Sequence, residues 1–271
     1  MFSGMLSYQF MVNALISGLL ISICAALIGA PLVLKRNSMI GDGLSHVAFG
    51  AFAIATVLNV APVEFALPIV IIASFLILRL GENSKIHGDA AVALLSSSAL
   101  AIGTFVISVT PGVNTDINSY LFGSILSIDH ADVIMSVVLA IIVVALYILA
   151  YNKIFAITFD ENFAKSIGVR TGWFNTIFAV LCSIVIVLGM RLVGSLLISS
   201  LIIFPTLIAE RFSRSFRGVT IIAVVVSVLN FVVGLTLSYV LSAPTGATIV
   251  IVNLVALVSA VLTDRLIRHR D

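Results

Sequence analysis

Apolar residues run through this chain in long blocks of about twenty, broken by short polar stretches, with neither the strict alternation of a sheet nor the one-sided stripe of a soluble helix. Nine blocks reach the length needed to cross a bilayer: 11–34, 40–59, 63–80, 90–109, 131–151, 173–189, 192–210, 218–241 and 245–263. Backbone groups in hydrocarbon have to be paired within their own segment, so each block is predicted to be a helix. The ten-residue alternation of a membrane β-barrel is absent. The second block is the weakest, because it opens on the polar stretch Asn37 to His46. The segment Tyr120–Ser127 is too short to cross and reads as a re-entrant or interfacial turn.

Composition agrees with the pattern. Hydrophobic residues make up 61% of the 271 positions and charged ones only 10%, against about a quarter charged in a soluble domain. A soluble core of this length cannot hide so much apolar surface. The fold class expected is therefore all-α: a polytopic helical bundle forming one membrane domain over 1–271. A net charge of +2, with basic residues scattered at segment ends, argues against a nucleic-acid partner. Cys24 and Cys182 both fall in apolar runs and read as packing residues. No Lys or Arg precedes Lys35, so the first block lacks a signal peptide's basic start and reads as a span.

The basic residues also orient the bundle. With the N-terminus outside and nine crossings, Lys35, Arg36, Arg79, Lys85, Lys153, Lys165, Arg170, Arg211, Arg214, Arg217, Arg265, Arg268 and Arg270 fall inside, and only Arg191 falls outside. Thirteen against one is a strong positive-inside bias, and it favours nine spans over eight. The cell membrane of a bacterium is the expected location. Glu64, Asp116, Asp129 and Asp132 make the outer loops mildly acidic, which draws cations or simply reflects the weak topological effect of acids. The longest inner loop, 152–172, contains Asp160 to Gly168. Its early acids suit a helix N-terminus and Gly168 suits a left-handed C-cap, so a short helix is predicted there, lying on the membrane or docking a cytosolic partner.

Ionisable groups inside spans are costly and are functional candidates by default. Asp42 and His46 are four apart and share one helical face. Counted from Arg36, they sit roughly 9 Å and 15 Å along the helix. A carboxylate with an imidazole suits zinc, manganese or iron, and a two-fold axis between identical copies would double the pair to four ligands. The alternatives are a structural Asp–His hydrogen bond, with Gly41 and Gly43 permitting close packing, or a proton relay.

Other polar positions read more plainly. Glu210 beside Arg211 looks like an interfacial charge. Asp129-His130 and Asp132 stand where a helix starts and read as N-caps. His87 and Asp89 flank an inner loop. Ser96 to Ser98 and Ser199-Ser200 read as helix packing. Pro205 interrupts the seventh span, either kinking it or freeing carbonyls along a path. No phosphate-binding G-x-x-x-x-G-K-[ST] loop occurs, so any ATP drive must come from another polypeptide.

Five stretches in order carry a resemblance: G-D-G-L-S-H (Gly41–His46), Y-L-F-G (Tyr120–Gly123), T-F-D-E-N-F-A-K-S-I-G (Thr158–Gly168), M-R-L-V-G-S-L-L-I-S-S-L-I-I-F-P (Met190–Pro205) and A-P-T-G-A-T-I-V (Ala243–Val250). Across nearly its whole length the chain resembles permease subunits of ABC importers for zinc and manganese. The resemblance implies a subunit that is not itself an enzyme and holds no cofactor. It further implies a homodimeric pore, a cytosolic ATPase binding ATP beneath each half, and an extracellular protein delivering Zn²⁺ or Mn²⁺. It assigns Asp42 and His46 to metal, and Asp160, Glu161, Ala164 and Gly168 to a helix coupling to the ATPase. The motifs ending at Gly123 and Pro205 are more similar to zinc permeases. Two positions depart from the pattern. Ser242 stands where many relatives carry Asp, and Pro205-Thr206-Leu207-Ile208-Ala209 replaces a common P-A-A-T-A. The implied mechanism is alternating access. A proton-driven carrier using the same pair, an intramembrane aspartyl protease and a non-transporting scaffold are the rival readings; the protease lacks a second deep aspartate.

Overall fold

A computed structural model describes residues 8–83, 88–111, 117–123 and 128–268. Lys85, His87, Asp116, the end of the 120–127 segment and Arg270 lie outside them. The described chain is helical throughout, in the order α1 (Gln9–Leu34), α2 (Met39–Val57), α3 (Pro62–Asn83), α4 (Gly88–Val109), α5 (Ile117–Phe122), α6 (His130–Phe159), α7 (Glu161–Ser166), α8 (Thr171–Val193), α9 (Ser195–Phe212), α10 (Phe216–Leu241) and α11 (Thr245–Arg268). Nine of these are long and apolar enough to span a membrane, and they coincide with the nine sequence blocks, the second included.

Burial sorts the spans into two shells. More than half of the apolar core of α1, α2, α8 and α9 is buried within the chain, while in α3, α4, α6, α10 and α11 the buried share is well below half. The centre is filled by Ile21 and Ile28 of α1, Leu44, Phe49 and Phe52 of α2, Ile186 and Met190 of α8, and Ile198, Leu201 and Ile202 of α9. The outer helices present Leu94, Phe105, Ile141, Leu149 and Val255 outward, as hydrocarbon solvent requires.

With no water to drive apolar surfaces together, helices in lipid associate through small residues that let backbones approach. A Cβ at Gly29 of α1 would strike the Ile202 carbonyl of α9, and one at Gly50 of α2 would strike the Ala99 carbonyl of α4. Gly103 of α4 lies against Gly50 in turn. These contacts seat α1 directly on α9 and α2 directly on α4. Buried amides add polar ties: Asn230 Nδ2 donates to Asn253 Oδ1 at 2.7 Å, and Asn253 Nδ2 donates to Ser200 Oγ at 3.4 Å, joining α10, α11 and α9.

Two boundaries differ from those expected. α6 continues to Phe159, because Ile154, Phe155, Ala156 and Ile157 extend its apolar run and Phe155 and Phe159 stack on Phe216. The connecting loop is correspondingly shorter. Pro205 does not break α9, which stays helical from Ser195 to Phe212; the buried Thr206 hydroxyl beside it has no hydrogen-bond partner.

Candidate functional site

α2 starts at Met39, so Asp42 falls in its first turn and His46 one turn further on. The helix is held in register on both sides. Gly41 lies under Ile202 of α9 and Gly43 under Val92 of α4. The Ser45 hydroxyl meets that of Ser199 at 2.9 Å and lies 2.7 Å from the Asp42 carbonyl. Thus Ser199-Ser200 and the glycines behave as packing residues, as read from the sequence.

The two candidate ligands come together on one face. His46 Nε2 is 3.7 Å from Asp42 Oδ2, too far for a direct hydrogen bond. Two donors each about 2.1 Å from one tetrahedral ion lie roughly 3.4 Å apart, so the spacing is close to that of a shared ion. The other ring nitrogen, Nδ1, is buried without a partner. Both side chains stay partly exposed on the single chain, Asp42 at 39% and His46 at 25%. Among the described residues no three His, Cys, Asp or Glu gather into one cluster.

A sizeable cavity among the described residues is a different place. Its volume is about 140 Å³, and it is walled by Leu32 of α1, Leu44 of α2, Leu146 of α6 and Phe178 of α8. Leu44 is about 200° around the helix from Asp42, so the cavity lies behind α2. The Asp42–His46 pair does not line this cavity and is partly open at the surface of the single chain.

The second candidate region is α7. Asp160 caps it by accepting from Phe163 N at 2.9 Å, and a left-handed Gly168 (φ 83°) comes just past its end, as the pattern predicts. Ala164 is fully buried against the bundle, whereas Phe163 and Ile167 are exposed. Glu161 is turned inward. Its Oε2 is 2.8 Å from Lys35 Nζ, and its Oε1 is 3.3 Å from both Lys165 Nζ and Asn175 Nδ2. Burial raises the Glu161 carboxyl, but the hydrogen bond and charge of Lys35, then those of Lys165, outweigh it and hold it below the ordinary glutamate value.

At the opposite end, three of the sequence motifs meet. Gly123 (φ 74°) and Gly194 (φ 87°) contact each other's backbone, and Gly246 packs on the Phe122 carbonyl. Tyr120 of α5 bonds Thr56 of α2 at 2.7 Å. Asp129 and Asp132 form a reciprocal capping box at the start of α6, so the capping reading of both was right. Asp132 has a further role: it is buried and pairs with Arg191 Nη2 at 3.1 Å. The single basic residue expected outside is thereby neutralised, which charge counting did not reveal. Ser242, one of the two departures from the resembled pattern, is the left-handed C-cap of α10 (φ 52°), a conformation in which Asp and Asn are the more usual side-chain-bearing residues. Glu210 is exposed at the end of α9, and its neighbour Arg211 reaches Asp264 at 3.7 Å.

A bundle of nine candidate spans, with an ionisable pair in the second and a short capped helix between the fifth and sixth, defines a polytopic membrane protein. The chain belongs to the ABC 3 transport family, whose model matches residues 7–264. It is 30% identical to the manganese import system permease protein ScaB of Streptococcus parasanguinis, over 93% of this chain and 90% of that one. It is 28% identical to the high-affinity zinc uptake system membrane protein ZnuB of Haemophilus influenzae, over 90% and 94%. Among solved structures it is similar to PsaBC from Streptococcus pneumoniae in complex with Fab, at a TM-score of 0.85 and 26% identity over 96% and 93% of the two chains. By this family membership the chain is a transporter permease subunit and not itself an enzyme.

Proposed function

We propose that this chain is the permease subunit of an ATP-driven importer of divalent manganese or zinc, and that Asp42 and His46 hold the ion in transit. The observation that carries the reading is the geometry of that pair: one helical face, 3.7 Å between donor atoms, and no protein partner for the buried Nδ1. Their partial exposure supports a site completed by a second copy of the chain. An exposed row of small residues on α4, Ala93, Ser97 and Ala101 at helical spacing, offers a surface on which helices can pack closely. Two copies would then supply two carboxylates and two imidazoles, a set that suits a borderline divalent ion and disfavours alkali ions.

On this reading α7 faces the cytosol and docks an ATPase subunit through Phe163 and Ile167, with Asp160, Ala164 and Gly168 fixing its start, its seat and its exit. A metal-binding protein delivers the ion at the opposite end. ATP-driven closure beneath the dimer alternates access to the Asp42–His46 pair. The preference between the ions is proposed as zinc first, on the motifs ending at Gly123 and Pro205. Membership in an ABC family speaks against the proton-driven carrier.

His46→Ala, and separately Asp42→Ala, should still insert and bring down the ATPase, but cut metal uptake at least tenfold. Uptake at the wild-type rate in either variant would remove the pair from the pathway. Stimulation of ATP hydrolysis in the reconstituted complex by zinc-loaded against manganese-loaded binding protein ranks the ions.

A further inference from the structure

Glu161 belongs by its position to the helix read as the docking element, yet neither of its carboxylate oxygens is offered outward. Lys165 sits on the same short helix and moves with it. Lys35 and Asn175 do not: the first ends α1, and the second lies in the opening turn of α8. Among these partners Lys35 makes the short contact, 2.8 Å between partly buried groups.

The corner that joins Lys35 to α2 is stiff. The Lys35 N–H donates to the Pro31 carbonyl, that of Arg36 to Val33 and that of Asn37 to Leu32. Arg36 takes a left-handed backbone (φ 60°), and Ile40 N–H closes on the Asn37 carbonyl at the start of α2. Every amide from Lys35 to Asn37 is thus bonded. A displacement applied at Lys35 cannot be absorbed by a slack loop before it reaches α2, and Asp42 is only seven residues on. On the other side of the ion pair, Phe163 and Ile167 point away from the bundle at 57% and 56% exposure. The helix therefore has one face for an external contact and one carboxylate gripping the corner that leads into the candidate metal helix.

We propose that Glu161 and Lys35 form the mechanical link that carries movement of α7 into α2, making Lys35 a positioning residue for transport. This rests on the reading of Asp42–His46 and α7 given above. Loss of the link leaves docking intact and uncouples hydrolysis from ion movement.

The test uses the complete complex in liposomes, with its ATPase subunit and metal-loaded binding protein, and reads metal ions moved per ATP hydrolysed. Lys35→Met should retain the ATPase subunit and its basal hydrolysis while that ratio falls at least fivefold. Lys35→Arg should restore it to within about twofold. Glu161→Gln should lower it similarly, and the double variant should be no worse than either single one. An unchanged ratio in Lys35→Met, losses that multiply in the double variant, or loss of the ATPase subunit from Lys35→Met would each overturn the link; the last would make the pair part of the docking surface. Asp42→Ala separates the two ideas. Normal uptake in that variant defeats the metal-site reading, while the Lys35–Glu161 cycle still reports coupling on its own.

Discussion

Arg191 and Asp132 show how one buried charge depends on one partner. Asp132 is nearly sealed from solvent, and its carboxylate is held by Arg191 and by the backbone N–H of Asp129. Arg191→Ala removes the cation and leaves the buried acceptor half-satisfied, a loss of about 1–3 kcal/mol. The expected result is a lower melting temperature in detergent, recovered by adding Asp132→Asn, which removes the stranded charge. Glu161 gives the pH case. Its carboxyl is held below the ordinary value, so the stability it contributes is fully present above the unfolded-state value and is lost as pH falls through the lowered one. Protection of the α7 amides, measured against their intrinsic exchange rates, should hold from neutral pH down to about 4.3, the ordinary glutamate value, and fall only below it. Protection already falling at about pH 6 would contradict the assignment.

Six residues make α7 too short to persist by propensity alone. It stands because Asp160 caps it, Ala164 seats it and Gly168 lets the chain turn away. Asp160→Ala should cost about 1 kcal/mol of local stability. The expected signs are faster exchange in 161–168 and weaker retention of the ATPase subunit, with the melting temperature of the bundle unchanged. The long helices were legible in the sequence for a different reason: each must satisfy hydrocarbon by itself, so its signal is local and its ends are marked by charge. α6 overran its predicted end because Phe155 and Phe159 find Phe216, a partner some sixty residues away that no window along the chain contains.

Across the whole molecule, the Asp42–His46 pair was legible because ionisable residues are rare in apolar blocks and these two sit one turn apart. The inward turn of Glu161 was not, since its partner Lys35 is 126 positions away and registered only as a topological charge. The same holds for Asn253, Asn230 and Ser200, whose ties between three helices arise only when those helices meet. Exposure, too, is a property of the assembled chain. That the pair stays partly exposed and lies apart from the cavity behind α2 emerges only once the helices have packed.

The glycine contacts at the end opposite α7 carry a consequence for substitution. Gly123, Gly194 and Gly246 touch main chain to main chain, leaving no side chain between them that could change rotamer and give way. The short α5, the elbow between α8 and α9 and the first turn of α11 are therefore fitted to one another backbone to backbone. A side chain introduced at any of the three glycines would strike main chain rather than a rotamer that can yield.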